Sequence, residues 1–137
     1  MNRRMLRDGA ILFLLGLLTG LAAGAMKNSR AALAAHLEGL MNGTFLLAIG
    51  AVWSQLKTGP RLRRLTDGLL TFGAFTNWLA TLLGAFWGTH QLTPIAGAGF
   101  SASIWEEKVV SVLLVGVVFT VVPGVALLGY GFGRQGT

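Results

Sequence analysis

Apolar residues fall in four long blocks separated by short polar breaks. The blocks run from about Gly9 to Met26, Ala31 to Leu56, Leu65 to Thr89 and Val109 to Phe132. Each is close to the roughly 20 residues that carry a helix across hydrocarbon. Two breaks are Lys27-Asn28-Ser29-Arg30 and Lys57-Thr58-Gly59-Pro60-Arg61; the third, Gln91 to Ser103, holds Pro94 and glycines but no charge. Barrel strands alternate, and these blocks do not. Lipid offers no hydrogen-bond partner, so a spanning segment must satisfy its own backbone as a helix. The pattern therefore predicts an all-α protein, an integral membrane four-helix bundle forming a single domain over residues 1–137. Pro123, inside the fourth block, predicts a kink there.

Composition supports that solvent assignment. Hydrophobic residues make up 53% of the chain and charged residues 12%, with a mean hydropathy of +0.66. A water-facing domain carries roughly 25% charged residues. The absence of cysteine excludes disulfides, thiolate metal sites and cysteine nucleophiles. Arg3, Arg4 and Arg7 ahead of the first block look like an export signal, but glycine spacing within the block suits a retained, packed helix. The net charge of +6 is accounted for by topology. With the N-terminus inside, Arg3, Arg4, Arg7, Lys57, Arg61, Arg63, Arg64 and Arg134 lie inside, against Lys27, Arg30 and Lys108 outside. Both termini are thus expected in the cytoplasm, and nucleic acid is not expected as a partner. Trp53, Trp87, Trp105 and Tyr130 lie near block ends, where interfacial anchors belong. Trp78 does not.

Glycine at four-residue spacing marks three blocks: Gly16, Gly20 and Gly24; Gly39 and Gly43; Gly84 and Gly88. Such stripes let membrane helices approach closely, or leave room for a flat ligand. Four helices enclose little space, so a neighbouring copy is expected to complete any site.

Polar groups inside a membrane are costly and each is a functional candidate. The second block carries the densest set, His36, Glu38 and Asn42, with Gly39 and Gly43 among them. At about 100° per residue, His36 and Gly43 share a line and Asn42 lies about 120° away. This helix should therefore present two functional faces. Asn42 and Asn77 fall at similar depth near the midplane, with His36 roughly 9 Å farther out. Plainer roles stand beside these. His36 would serve as an interfacial histidine, Glu38 as a partner of Arg30 or Lys108, the asparagines as interhelical glue and Trp78 as filler. His90 is expected in solvent, and Glu106 and Glu107 at the start of the fourth helix, favoured by its dipole. Phosphate-binding loops, zincin motifs and hydrolytic triads are missing. A single intramembrane histidine beside small residues suits one axial bond to a haem.

The chain resembles bacterial hydroxylaminobenzene mutases along its whole length, from MNRRMLRDGAILFLLGLLTGLAAG through AHLEGLMNG to FTNWLATLLGAFWG. Its H-x-x-G-x-x-N core also resembles that of the membrane styrene oxide isomerases. The second resemblance implies trimers of four-helix protomers with ferric haem b held between subunits. It makes His36 the axial ligand, flanked by Gly39 and Gly43, and Asn42 a substrate contact. Where those isomerases place a third-helix tyrosine, this chain offers Asn77 and Trp78, with Phe75 and Glu38 as further pocket candidates.

The implied activity is redox-neutral isomerisation of an N-arylhydroxylamine to an ortho-aminophenol in a bacterial inner membrane. Delivery to the ortho carbon needs the departing oxygen kept close and bulk water kept out. A ferric iron would hold that oxygen as a Lewis acid, while Asn42 and Asn77 orient the amino group and incoming oxygen. Phe75 or Trp78 would face the electron-poor ring. Two other classes are a haem electron-transfer subunit, which would want two ligands at matched depth, and a small transporter or structural subunit. A transporter would show related halves or a central charge.

Overall fold

The computed structural model describes residues 1–133; Arg134, counted above for topology, lies outside them. Four α-helices account for most of that length: α1 (Arg3–Ala22), α2 (Ser29–Val52), α3 (Pro60–Trp87) and α4 (Ile104–Gly133). Single 3-10 turns at Ala23–Ala25 and Trp53–Gln55 close α1 and α2. There is no strand among the described residues. All four helices are long and apolar enough to cross a membrane.

Helices α1, α3 and α4 begin well before the apolar blocks do, because their first turns are polar and set by local chemistry. Asn2 caps α1 by accepting from the Met5 amide at 3.2 Å. Asn28 caps α2 by accepting from the Arg30 and Ala31 amides, both at 3.1 Å. Pro60, whose fixed φ suits a first helical position, opens α3. Glu106 accepts from the Ser103 amide at 2.7 Å and caps α4. Gly88 ends α3 in the left-handed region at φ 76°. It is thus a cap, and not a packing partner of Gly84 as the spacing had implied. Helix α4 continues through Pro123 without interruption.

The helices run up and down in sequence, and each packs against its neighbour in the chain. Short backbone bonds tie the ends: Asn2 N–H to Gly50 O at 2.8 Å, Asn28 N–H to Ala85 O at 3.0 Å, Lys57 N–H to Gly131 O at 2.9 Å. Helices α2 and α3 form the middle of the row, with α1 and α4 at its edges. The main core joins Met5, Leu12, Leu46, Leu56, Leu70 and Leu128, with Trp53 buried among them. Trp53 is therefore a core residue and not the surface anchor its position suggested. Outward faces stay apolar, as at Leu21, Val112, Phe119 and Val122.

Glycine brings α1 and α2 together. A methyl added at Gly16 would stand 2.7 Å from the Leu40 nitrogen, and one at Gly43 would stand 2.6 Å from the Phe13 nitrogen. Gly9 meets the Gly43 carbonyl in the same way, at 2.9 Å. No side chain fits such a backbone-to-backbone seam. Gly24, expected in the stripe, has open space around it. Helices α3 and α4 use glycines that no four-residue repeat marked: a methyl at Gly73 would collide with Thr120 and Val121, and one at Gly124 with Leu70.

Candidate functional site

Helix α2 carries two polar constellations on opposite flanks. On the α1 flank stands His36, half-buried, with Nδ1 2.8 Å from the Gly16 carbonyl oxygen. A carbonyl oxygen only accepts, so Nδ1 carries the proton and donates. In the neutral ring this leaves Nε2 with a free lone pair. Gly20 makes room for the imidazole, since a methyl there would stand 2.5 Å from Nδ1. The sequence suggested that Gly39 and Gly43 clear this space. Their missing side chains are instead replaced by α1 backbone at Gly16 and Phe13, so they fix the seam that positions the ring. His36 opens onto an apolar groove of about 520 Å³ lined by Leu17, Gly20, Leu21, Ala23 and Leu33.

On the α3 flank, one carboxylate oxygen of Glu38 accepts from two amides. Asn42 Nδ2 donates at 3.1 Å, and Asn77 Nδ2 donates from α3 in a short contact. Asn42 also reaches the Ala74 carbonyl at 3.5 Å. All three side chains are half-buried. The depth match expected of Asn42 and Asn77 is realised, and Glu38 joins them. Glu38 has no basic partner among the described residues. Arg30, proposed for that role, instead donates to the Ala98 carbonyl and lies over the Phe100 ring, 5.8 Å from its centre.

Trp78 spans the two flanks. Its indole passes beside Gly39 and donates through Nε1 to Thr19 Oγ1 at 3.1 Å. Thr19 in turn donates to the Leu15 carbonyl at 2.7 Å. The tryptophan thereby links α3 to α1 across α2. Phe75 packs on the main core. Thr19 was missed in the sequence, although a lone threonine in an apolar block was the available signal. Gly16 was read only as a packing residue, since nothing in a sequence shows which carbonyl a histidine will reach.

Just past the C-terminal end of α3, His90 is half-exposed but engaged, its Nδ1 2.9 Å from Glu107. Glu107 is buried and accepts from the backbone amides of His90 and Gln91 at 2.9 and 3.2 Å. It holds the α3–α4 connection in addition to opening α4. Among the described residues, no group of three or more His, Cys, Asp or Glu side chains is placed to hold a bare metal ion.

No solved structure matches the chain. It is 42% identical over 130 residues to hydroxylaminobenzene mutase HabB of Ectopseudomonas oleovorans, covering 94% of this chain and 79% of that protein. To hydroxylaminobenzene mutase HabA of the same organism it is 37% identical over 124 residues, covering 90% and 89%. The styrene oxide isomerase family model matches residues 1–133, all of the described helices and both flanks of α2, and the chain belongs to that family.

Proposed function

We propose that this protein is a membrane-embedded isomerase that converts hydroxylaminobenzene and related N-arylhydroxylamines to 2-aminophenols. The near-full-length likeness to two hydroxylaminobenzene mutases carries this reading. The reaction is an isomerisation: the N–O bond breaks, a C–O bond forms at the ortho carbon, that carbon loses its proton and nitrogen gains one. Atoms and electrons balance without an oxidant or reductant.

The family implies a haem, and the residues around His36 fit one. A histidine that donates one ring nitrogen to a backbone carbonyl has its orientation and tautomer set for metal binding through the other. A porphyrin brings four ligands of its own, so one protein nitrogen suffices, and the groove beyond His36 is apolar and open. Bound there, ferric haem would supply a Lewis acid for the hydroxylamine oxygen.

The other flank supplies orientation. Asn42 and Asn77 each commit an N–H to Glu38, which fixes their amides and leaves their carbonyl oxygens as acceptors for an aryl N–H. Because the two constellations lie on opposite flanks of α2, one protomer does not present them to one substrate. Between them runs an exposed stripe that includes Leu33, Leu37 and Met41. A homo-oligomer, in the simplest case a cyclic trimer, that packs on this stripe sets the His36 flank of one copy against the Glu38 flank of the next. Long apolar helices and their apolar exteriors support multi-pass placement in a bacterial inner membrane, with both termini cytoplasmic.

The test is direct. Protein purified in detergent should show a Soret band and convert hydroxylaminobenzene to 2-aminophenol in labelled water without taking up solvent oxygen. A colourless protein with full activity would remove the haem, and solvent oxygen in the product would remove intramolecular transfer.

A further inference from the structure

A second concavity, of about 290 Å³, lies where α1 begins, α2 ends and α3 begins. Its walls include Asn2, Arg3, Trp53, Arg63, Arg64 and Asp67. The sequence builds it by placing Arg3 at the start of α1, and Arg63, Arg64 and Asp67 in the first turns of α3. Three arginines face one aspartate, so the lining is net positive. Nearby cations differ. Arg7 is held by Asp8 at 2.9 Å and Arg4 approaches it at 3.6 Å, while Lys57 and Arg61 are exposed and outside the lining. Arg63 donates a terminal N–H to the Leu56 carbonyl, which fixes its guanidinium. Arg63 Nε and Asp67 Oδ1 are sealed from solvent and have no protein partner. These two lining residues stand one helical turn apart on α3, and neither side chain is fully paired within the protein.

We propose that this pocket binds the headgroup of a net-anionic phospholipid, of the phosphatidylglycerol type. The inference rests on the membrane-spanning reading, which puts the ends of these helices at headgroup depth. Arginine matches phosphate oxygens with paired N–H donors. The glycerol hydroxyls would donate to the Asp67 carboxylate, and the Trp53 wall offers an apolar surface for the lipid's glycerol backbone. A choline headgroup brings no net charge and no hydrogen-bond donor, so it matches neither feature.

Thermal unfolding of the full chain in detergent, titrated with phosphatidylglycerol, phosphatidylcholine or inorganic phosphate, tests the site. Phosphatidylglycerol should stabilise at concentrations at least about tenfold lower than the other two. Arg64→Gln and Arg3→Gln, at exposed positions, should each raise its half-saturating concentration about tenfold. Arg61→Gln should leave it unchanged. Equal responses to the two lipids would overturn the proposal. So would an equal loss in Arg61→Gln, which marks diffuse surface charge, and so would inorganic phosphate acting as well as phosphatidylglycerol. A chain that stays monodisperse without detergent would instead overturn the membrane reading itself, a separate outcome.

Discussion

The two flanks of α2 solve different problems with side chains only two residues apart. On the α1 flank, glycines bring two backbones into contact, and the single polar side chain there bonds to a main-chain carbonyl. Among the described residues its remaining nitrogen has no hydrogen-bond partner, and the ring lines an apolar groove. On the α3 flank, three polar side chains satisfy one another around one carboxylate oxygen. One flank leaves a ring nitrogen open to an apolar groove, the other holds donors and acceptors in a fixed array. In a low-dielectric interior a polar group needs a partner, and the two flanks meet that need differently: a main-chain carbonyl for His36, side-chain amides for Glu38.

Replacing the histidine breaks this contrast most completely. His36→Ala should abolish the Soret band and ortho-product formation while expression and helical circular dichroism stay normal. Full haem occupancy in that variant would show that the free nitrogen is not the ligand. Gly20→Ala is a subtler attack on the same flank. The new methyl would stand 2.5 Å from the imidazole Nδ1, so the ring must shift and its bond to the Gly16 carbonyl is disturbed. Haem occupancy should fall about tenfold or more, the scale for disturbing the support of a metal ligand. Gly24→Ala, with open space around it, is the matched control. Equal haem loss in both variants would mean that glycine content, not room for the ring, is what matters.

On the other flank, Asn77→Ala and Asn42→Ala should keep the haem and lower ortho-product formation about ten- to hundredfold. That range is about 1.4–2.7 kcal/mol of lost transition-state stabilisation. Loss of haem in either variant would join the flanks into one structural unit and erase the division of labour. Unchanged turnover would leave the asparagines as interhelical glue.

Helix number, class and order were legible because runs of about 20 apolar residues admit few other structures in lipid. The two-faced character of α2 was also legible, from nothing more than the angle between His36 and Asn42. What failed was the assignment of glycines to roles. A four-residue spacing cannot distinguish Gly16, which meets a backbone, from Gly24, which meets nothing, or from Gly88, which caps a helix. Gly73 and Gly124 were invisible because each faces a side chain on another helix and has no repeat within its own. Partner choice was equally hidden. Glu38 took one amide a turn along α2 and one across on α3, and not Arg30 two turns back, since a half-buried carboxyl is satisfied by whichever donors share its level. Glu107 looked like a helix-start charge and proved to hold a loop, because the turn that returns His90 to it is set by tertiary packing.

The smallest expected effect concerns the link between the flanks. Trp78 donates to Thr19 at 3.1 Å across the glycine face of α2, so it reports whether α1 and α3 move as one. Trp78→Phe keeps an aromatic ring on α3 but removes the N–H together with part of the indole's volume, so the coupling between variants, not the single loss, isolates the bond. Interhelical bonds of this kind are worth about 0.6 kcal/mol on average in membranes, up to roughly 1.7. Thr19→Val removes the acceptor at nearly constant shape. Each single variant should lower the midpoint of thermal unfolding by a few degrees, and the double variant should lose less than the sum, since one bond is shared. Haem content and turnover should stay near those of the parent. Additive losses would mean that the tryptophan only fills space. A large fall in turnover from Trp78→Phe alone would move this residue from the scaffold into the substrate pocket, and the flanks would then meet within a single protomer.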